Sequence, residues 1–247
     1  MNEQLGHLTA DGAKLAWRMV EGRGPTVVWL GGFGSAMDGN KAAALAAWAS
    51  ENGRALLRFD YFGHGLSEGD FETGTITRWR GDALAMIEAL TKGPLLLVGS
   101  SMGGWIACLV AFARPERIAG LVLVAPAVDF TEALLKPALG AAAKIDLARD
   151  GVWRPTSPDG DHGLPISRVL LEDGARWSIL PGPIAIAAPV RILQGGADAE
   201  VPWRHALELA SAIESPDLIF TLVRAGDHRL SRPQDLARLI ALVEELR

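Results

Sequence analysis

The chain has 247 residues, 49% of them hydrophobic and 21% charged, with a formal net charge of −5. That length and composition fit one α/β domain with a large core, and an acidic balance without a basic cluster speaks against a nucleic-acid partner. The one cysteine, Cys108, rules out an intramolecular disulfide and points to a reducing compartment, with a packing role for the thiol. The N-terminal residues Met1, Asn2, Glu3 and Gln4 have neither a basic start nor an apolar run, so no secretory signal is expected and the protein reads as cytoplasmic. Residues 4–9 and 13–20 can pair as a hairpin across Asp11-Gly12, a strong turn dipeptide. A buried strand at 26–30 ends in Gly31-Gly32-Phe33-Gly34, where the backbone can approach a ligand closely and offer its amides. An alanine-rich helix over 41–51 stops at Asn52-Gly53, and a strand at 54–59 runs into the glycine-rich turn from Asp60 to Ser67. Residues 76–90 have helical periodicity.

The uncharged stretch 94–113 is long enough to raise the question of a membrane span. Glycines and serines interrupt it midway, so strand, tight turn and helix explain it better: a strand at 94–98, Gly99-Ser100-Ser101-Met102-Gly103, and a helix over 104–113. A further strand at 119–124 ends at Ala125-Pro126. Strands alternating with helices imply crossover connections and a mostly parallel sheet with helices on both faces. Residues 128–186 break that rhythm, with one helical piece at 133–147 that gives way to Gly151-Val152-Trp153-Arg154-Pro155 and a loop from Ser157 to Asp161. The whole region reads as a small cap inserted at the edge of the sheet where ligands bind. Regular order resumes with a strand at 190–194, a helix at 203–213, a strand at 218–223 and a closing helix at 233–246.

A serine with glycine two residues away on each side, between strand and helix, is a nucleophile elbow. Only Ser101 has that spacing; Ser100 supports the turn. Such a hydroxyl needs a general base, and the base needs an acid that fixes its tautomer. In a doubly wound sheet of this kind the three follow in the order Ser, acid, His, on loops after later strands. Of the five histidines, His7 and His205 fall inside a strand and a helix, His64 lies in a glycine-rich turn before the serine, and His162 lies in the cap loop within possible reach of substrate. His228, directly after the last strand, satisfies both order and position. Asp198 is favoured as the acid, after the strand at 190–194, with Asp129 as its main rival and Asp227 too close in sequence to the histidine. Asp60 precedes the serine and is expected to hold its own turn through backbone amides.

An oxyanion formed at Ser101 needs two amides. Met102, at the start of the helix, supplies one, and Phe33 the other, with Gly32 as the alternative. No metal-ligand cluster stands out, and Gly31 to Gly34 lacks the lysine and spacing of a nucleotide loop. The site therefore calls for no cofactor.

Taken together, Leu30-Gly31-Gly32-Phe33, the run Arg58 to Ser67, the elbow, Gly195 to Pro202 and Asp227-His228 resemble the α/β-hydrolase superfamily over the whole chain, with residues 1–247 as one domain and the cap as its insertion. Gly103-Gly104-Trp105, Ala113 to Arg117, Gly151-Val152-Trp153, Val201-Pro202-Trp203 and Asp227-His228-Arg229 narrow the likeness to the subfamily of α/β-hydrolase domain-containing protein ten. That resemblance implies palmitoyl-protein thioesterase or acyl-glucuronide esterase activity, acting on a small-molecule ester or an acylated protein. Gly32, Trp105 and Trp203 are then expected at the substrate, and the cap residues Trp153 and Trp177 either line an apolar acyl pocket or pack the cap. Arg154, Arg168 and Arg176 could meet an anionic leaving group, or serve as solvated surface charges. Cleavage of a carbon–carbon or amide bond by the same residues, and a non-catalytic binding protein on the same fold, are the alternatives.

Overall fold

The computed structural model describes residues 3–155 and 163–246. Its centre is an eight-stranded sheet in the order β1-β2-β4-β3-β5-β6-β9-β10. The hairpin strands β1 (Gln4–Ala10) and β2 (Ala13–Val20) pair antiparallel, turning through Asp11 and Gly12 at φ 44° and 75°. Positive φ at both central residues is the backbone such a two-residue turn requires. β2 also pairs antiparallel with β4 (Arg54–Phe59). From there β3 (Arg23–Leu30), β5 (Leu95–Ser100), β6 (Ile118–Val124), β9 (Val190–Gly195) and β10 (Leu218–Val223) are parallel to their neighbours.

The central strands are apolar without alternation because both faces are covered. Val28, Leu30, Leu95, Leu97, Leu121 and Leu123 point into one core, with α2 (Ile76–Leu90), α3 (Met102–Ala113) and Leu209 of α7 (Trp203–Ala212). Val27, Trp29, Leu96, Val98, Val122 and Val124 point into the other, with α1 (Asn40–Asn52) and α8 (Pro233–Glu245). Consecutive strand residues thus feed opposite cores, as the pleat dictates. Capping fixes the helix ends locally: Thr75 Oγ1 accepts the Arg78 amide at 3.1 Å at the start of α2, and Gly53 ends α1 at φ 61°.

Between β6 and β9 the chain leaves the sheet. The expected single helix at 133–147 is instead a π-helical turn, Thr131–Leu135, running into the short α4 (Lys136–Ala138), and then α5 (Ala141–Asp150) after a break. Leu139 and Gly140 are extended there (ψ 111° and 174°), so the helix restarts with Gly140 as its N-cap. Just before the expected loop lies β7 (Val152–Trp153), which pairs antiparallel with β8 (Ile166–Ser167), and β8 opens α6 (Arg168–Gly174), capped by Ser167 Oγ on the Leu170 amide. Two-residue strands are too short to carry a period, so the sequence could not announce them. His162 and the turn at 157–161 lie outside the described residues.

Trp153 packs on Leu147, Ile166 and Leu171, and Trp177 donates its indole N–H to Thr77 Oγ1 at 2.7 Å. Both therefore fasten the inserted segment, and neither lines the cavity beside Ser101. Asp129, at the exit of β6, accepts the amides of Ile179 (2.9 Å) and Leu180 (2.8 Å) and so ties the far end of the segment to its beginning. The buried His205 donates from Nε2 to the Val128 carbonyl at 2.8 Å and braces the same place from α7. No helix among the described residues is long and apolar enough to cross a membrane.

Candidate active site

β5 turns into α3 at Ser101, which adopts φ 55° and ψ −122°. For a residue with a Cβ this backbone costs on the order of 1–3 kcal/mol, held in place by its surroundings. The Ser101 amide donates to the Val124 carbonyl at 2.9 Å, and its carbonyl accepts the amides of Gly104 (2.9 Å) and Ala127 (3.0 Å). A Cβ at Gly99 would stand 2.3 Å from the Gly103 carbonyl oxygen, and one at Gly103 would stand 2.0 Å from that of Leu30. Both flanking positions must therefore lack a side chain, as the elbow geometry anticipated.

The structure brings Ser101, His228 and Asp198 together from three loops. His228 Nε2 lies 3.1 Å from Ser101 Oγ, and His228 Nδ1 lies 2.8 Å from Asp198 Oδ2. Asp198 is buried and itself held: Oδ1 accepts the amides of Glu200 (2.9 Å) and Val201 (2.8 Å), and Oδ2 also accepts from Gln194 Nε2 at 3.2 Å. Burial pushes this carboxyl upward, but the His228 ring N–H and the two amides outweigh it and hold the group below its ordinary value. The rival acid Asp129 has its oxygens engaged by Ile179 and Leu180, and burial raises its pKa.

The amides of Phe33 and Met102, expected to face an oxyanion, make no hydrogen bond to another group among the described residues. The Phe33 loop is braced from below. Asp60 Oδ1 accepts the Met37 amide at 2.6 Å and Oδ2 the Leu66 amide at 2.8 Å, so Asp60 holds its own turn and also the end of this loop. His64 Nδ1 lies 3.0 Å from the Phe62 carbonyl, while Nε2 accepts the Gly34 amide at 3.1 Å. These two bonds need a neutral ring protonated at Nδ1, and burial, which lowers its pKa, favours that form.

A cavity of about 150 Å³ opens on Ser101 Oγ and His228, walled mainly by Phe33, Ala127, Phe130, Leu134, Leu135 and Ile166. Of the residues expected at the substrate, Trp105 is fully buried behind Phe130, edge-on to it at 5.8 Å, with its indole N–H on the Trp177 carbonyl. It shapes the wall at one remove. Trp203 begins α7 with the Arg204 guanidinium 4.6 Å over its ring and does not line the cavity. Gly32 backs the elbow: a Cβ there would lie 3.3 Å from Ser101 Cβ. Arg154 is paired with Glu72 and Arg168 with Glu172, and Arg176 lies beside Trp177 in a separate hollow.

Sequence reasoning missed Phe130, Leu134, Leu135 and Ile166, whose inward faces depend on a π turn and a two-residue strand. It also gave no role to Glu200, whose exposed carboxylate stands 3.6 Å from His228 Nε2. Its position two residues after Asp198 was the available signal.

The comparisons agree with this architecture. The family model described as serine aminopeptidase, S33, matches residues 25–149. The bovine mitochondrial palmitoyl-protein thioesterase ABHD10 is 34% identical over 237 residues, 96% of this chain and 77% of that protein. A crystal structure of a putative hydrolase from Agrobacterium vitis S4 matches with a TM-score of 0.94 and 38% identity, covering 100% of this chain and 99% of that one. The solved mouse alpha/beta hydrolase domain-containing protein 10 matches with a TM-score of 0.88 and 33% identity, covering 98% of each chain. With that identity over nearly its whole length and the same fold, the chain belongs to the α/β-hydrolases, in the family of alpha/beta hydrolase domain-containing protein 10.

Proposed function

We propose that this protein hydrolyses carboxylic esters or thioesters through an acyl-enzyme on Ser101. The observation that carries the reading is the hydrogen-bonded series Asp198, His228, Ser101, with 2.8 and 3.1 Å between neighbours. Asp198 keeps Nδ1 of His228 protonated and leaves Nε2 free to take the Ser101 proton. The Ser101 oxygen then bonds to the acyl carbon, and the amides of Phe33 and Met102 receive the negative oxygen. The bond to the leaving alcohol or thiol breaks as His228 returns the proton to it. Water, deprotonated by the same His228, adds to the acyl carbon and releases the acid and Ser101.

The relatives named palmitoyl-protein thioesterase support an acyl substrate, and the apolar walls beside Ser101 fit one. A cavity of about 150 Å³ is the size that accommodates a benzene-sized group, so the enclosed part takes a short acyl group and a longer chain extends through the mouth. The family model's description as an aminopeptidase favours one second reading, amide hydrolysis by the same residues.

Rates with matched acyl thioesters, p-nitrophenyl esters and amides test the choice. The proposal expects ester and thioester turnover that disappears in Ser101→Ala. Turnover confined to amides would replace it with the second reading.

A further inference from the structure

A second cavity, of about 340 Å³, lies against the back of the elbow, with Gly32 and Ser100 in its wall. Its polar side chains are Trp29, Ser35, Asn40, Lys41, Ser100 and Arg229, with Ser231 at the edge. Two of them are nine-tenths buried and unpartnered. The indole N–H of Trp29, 4% exposed, has no acceptor. The Ser100 side chain, 6% exposed, makes no hydrogen bond among the described residues. A fully buried donor left without a partner is destabilising, so the Trp29 N–H calls for an explanation, while the Ser100 hydroxyl adds a free polar group that is not fully enclosed.

The cavity's chemistry is one-sided. Trp29, Lys41 and Arg229 can only donate, and the hydroxyls and the Asn40 amide can do so too. Lys41 uses one ammonium hydrogen on the Arg229 carbonyl and keeps two. The Arg229 guanidinium has no ion-pair partner among the described residues. The nearby Asp227 carboxylate accepts the Leu230 amide at 2.9 Å and partly offsets the Lys41 charge, but it is not part of the wall. The N-terminus of α1 opens here as well, with Gly39 as its cap and no side chain on its first amides, so the helix dipole adds to the same positive field.

We propose that this cavity is a second binding site that takes an oxyanion of the phosphate class, held by Lys41, Arg229, Ser100 and the Trp29 N–H. The site is separate from the acyl cavity but shares its framework. Ser100 precedes Ser101, Arg229 follows His228, and Gly32 adjoins the Phe33 amide. An anion bound there bears on the positions of all three. The phosphate can be free in solution, or it can belong to the leaving thiol of a phosphorylated acyl thioester.

Calorimetric titration of the whole protein with inorganic phosphate, at constant ionic strength against chloride, tests the site without reference to hydrolysis. Saturable one-to-one binding is expected, at least about tenfold weaker in Arg229→Gln and in Trp29→Phe, a loss of one charge-assisted contact. Arg229 is exposed, so Arg229→Gln should melt as the parent does without phosphate; Trp29→Phe removes core volume along with the N–H, so its binding is read at a temperature well below its own melting point. Absence of saturation, or equal binding by parent and both variants, overturns the proposal. Kinetics then separate the two sources. A phosphate that belongs to the leaving group makes inorganic phosphate raise the KM of a phosphorylated acyl thioester competitively, with no such competition against a neutral p-nitrophenyl ester. A free anion changes both rates alike.

Discussion

His64 Nε2 accepts the amide of Gly34 at 3.1 Å. His64 touches neither Ser101 nor the cavity beside it, yet it fixes the loop that carries the neighbouring Phe33 amide. Its place among Phe71, Trp79 and Tyr61, with ring centroids 5.0 to 5.7 Å away, excludes the water that could replace this bond. Replacing it by Ala should therefore reduce kcat by about tenfold, the loss of one positioned contact, with KM changed less than about twofold. Steady-state kinetics on a short ester check this. A raised KM at unchanged kcat would mean that His64 serves binding rather than the oxyanion loop.

Gly103 faces the Leu30 carbonyl so closely that a Cβ would lie 2.0 Å from it. Backbone on both sides cannot yield as a flexible side chain can. Gly103→Ala should destabilise the fold by about 1–3 kcal/mol or more, read as a lower urea midpoint with an unchanged slope. Gly81 within α2, whose added Cβ would meet nothing within 4 Å, serves as the control and should tolerate alanine. Equal stability of the two variants would contradict the elbow packing.

Much of the sheet could be read from the chain because its signals are local. Asp11-Gly12 demands positive φ, residues 54–59 and 218–223 are bounded by turn residues, and Thr75 caps the periodic run that follows. The juxtaposition of Ser101, Asp198 and His228 could also be anticipated, since strand order determines which loops meet. The inserted segment could not. Its helix breaks at Leu139 and Gly140, its ribbon has two residues per strand, and its anchor is a long-range bond from Asp129 to Ile179 and Leu180. Trp105, the most conspicuous aromatic near the elbow in sequence, faces the core of the sheet instead of the cavity, because the helix turns it behind Phe130.

Leu135 belongs to that segment and closes one side of the cavity beside Ser101. Leu135→Ala removes three carbons from the wall, and the space gained favours a longer acyl chain by about 0.8 kcal/mol per methylene buried. Across a series of p-nitrophenyl esters, the chain length with the highest kcat/KM should lengthen by about two methylenes. An unshifted profile with uniformly lower rates would show that the acyl chain lies elsewhere.

Lys41 gives a signature in stability. Burial lowers its pKa to about 8, with Asp227 opposing and Arg229 reinforcing the shift, against 10.5 as the ordinary value. Between those two values the unfolded chain binds more protons than the folded one, so this group's contribution to stability rises with pH; below 8 its full burden is present, and above 10.5 it is gone. In phosphate-free buffer, the unfolding free energy of the parent relative to Lys41→Met should therefore move in favour of the parent from pH 8 to pH 10. A difference independent of pH would show that the ammonium is solvated as in the open chain.

The central claim is that Ser101 carries the acyl group, with His228 as its base. Mass spectrometry of the intact protein and of its proteolytic peptides, after rapid mixing with a p-nitrophenyl ester or an acyl thioester and acid quenching, reads this directly, with His228→Ala and Ser101→Ala as comparisons. The account predicts a mass increase of one acyl group on the Ser101 peptide of the parent, no adduct in Ser101→Ala, and turnover reduced by about three to six orders of magnitude in both variants. An acyl group found on another residue, or hydrolysis undiminished in Ser101→Ala, would contradict it.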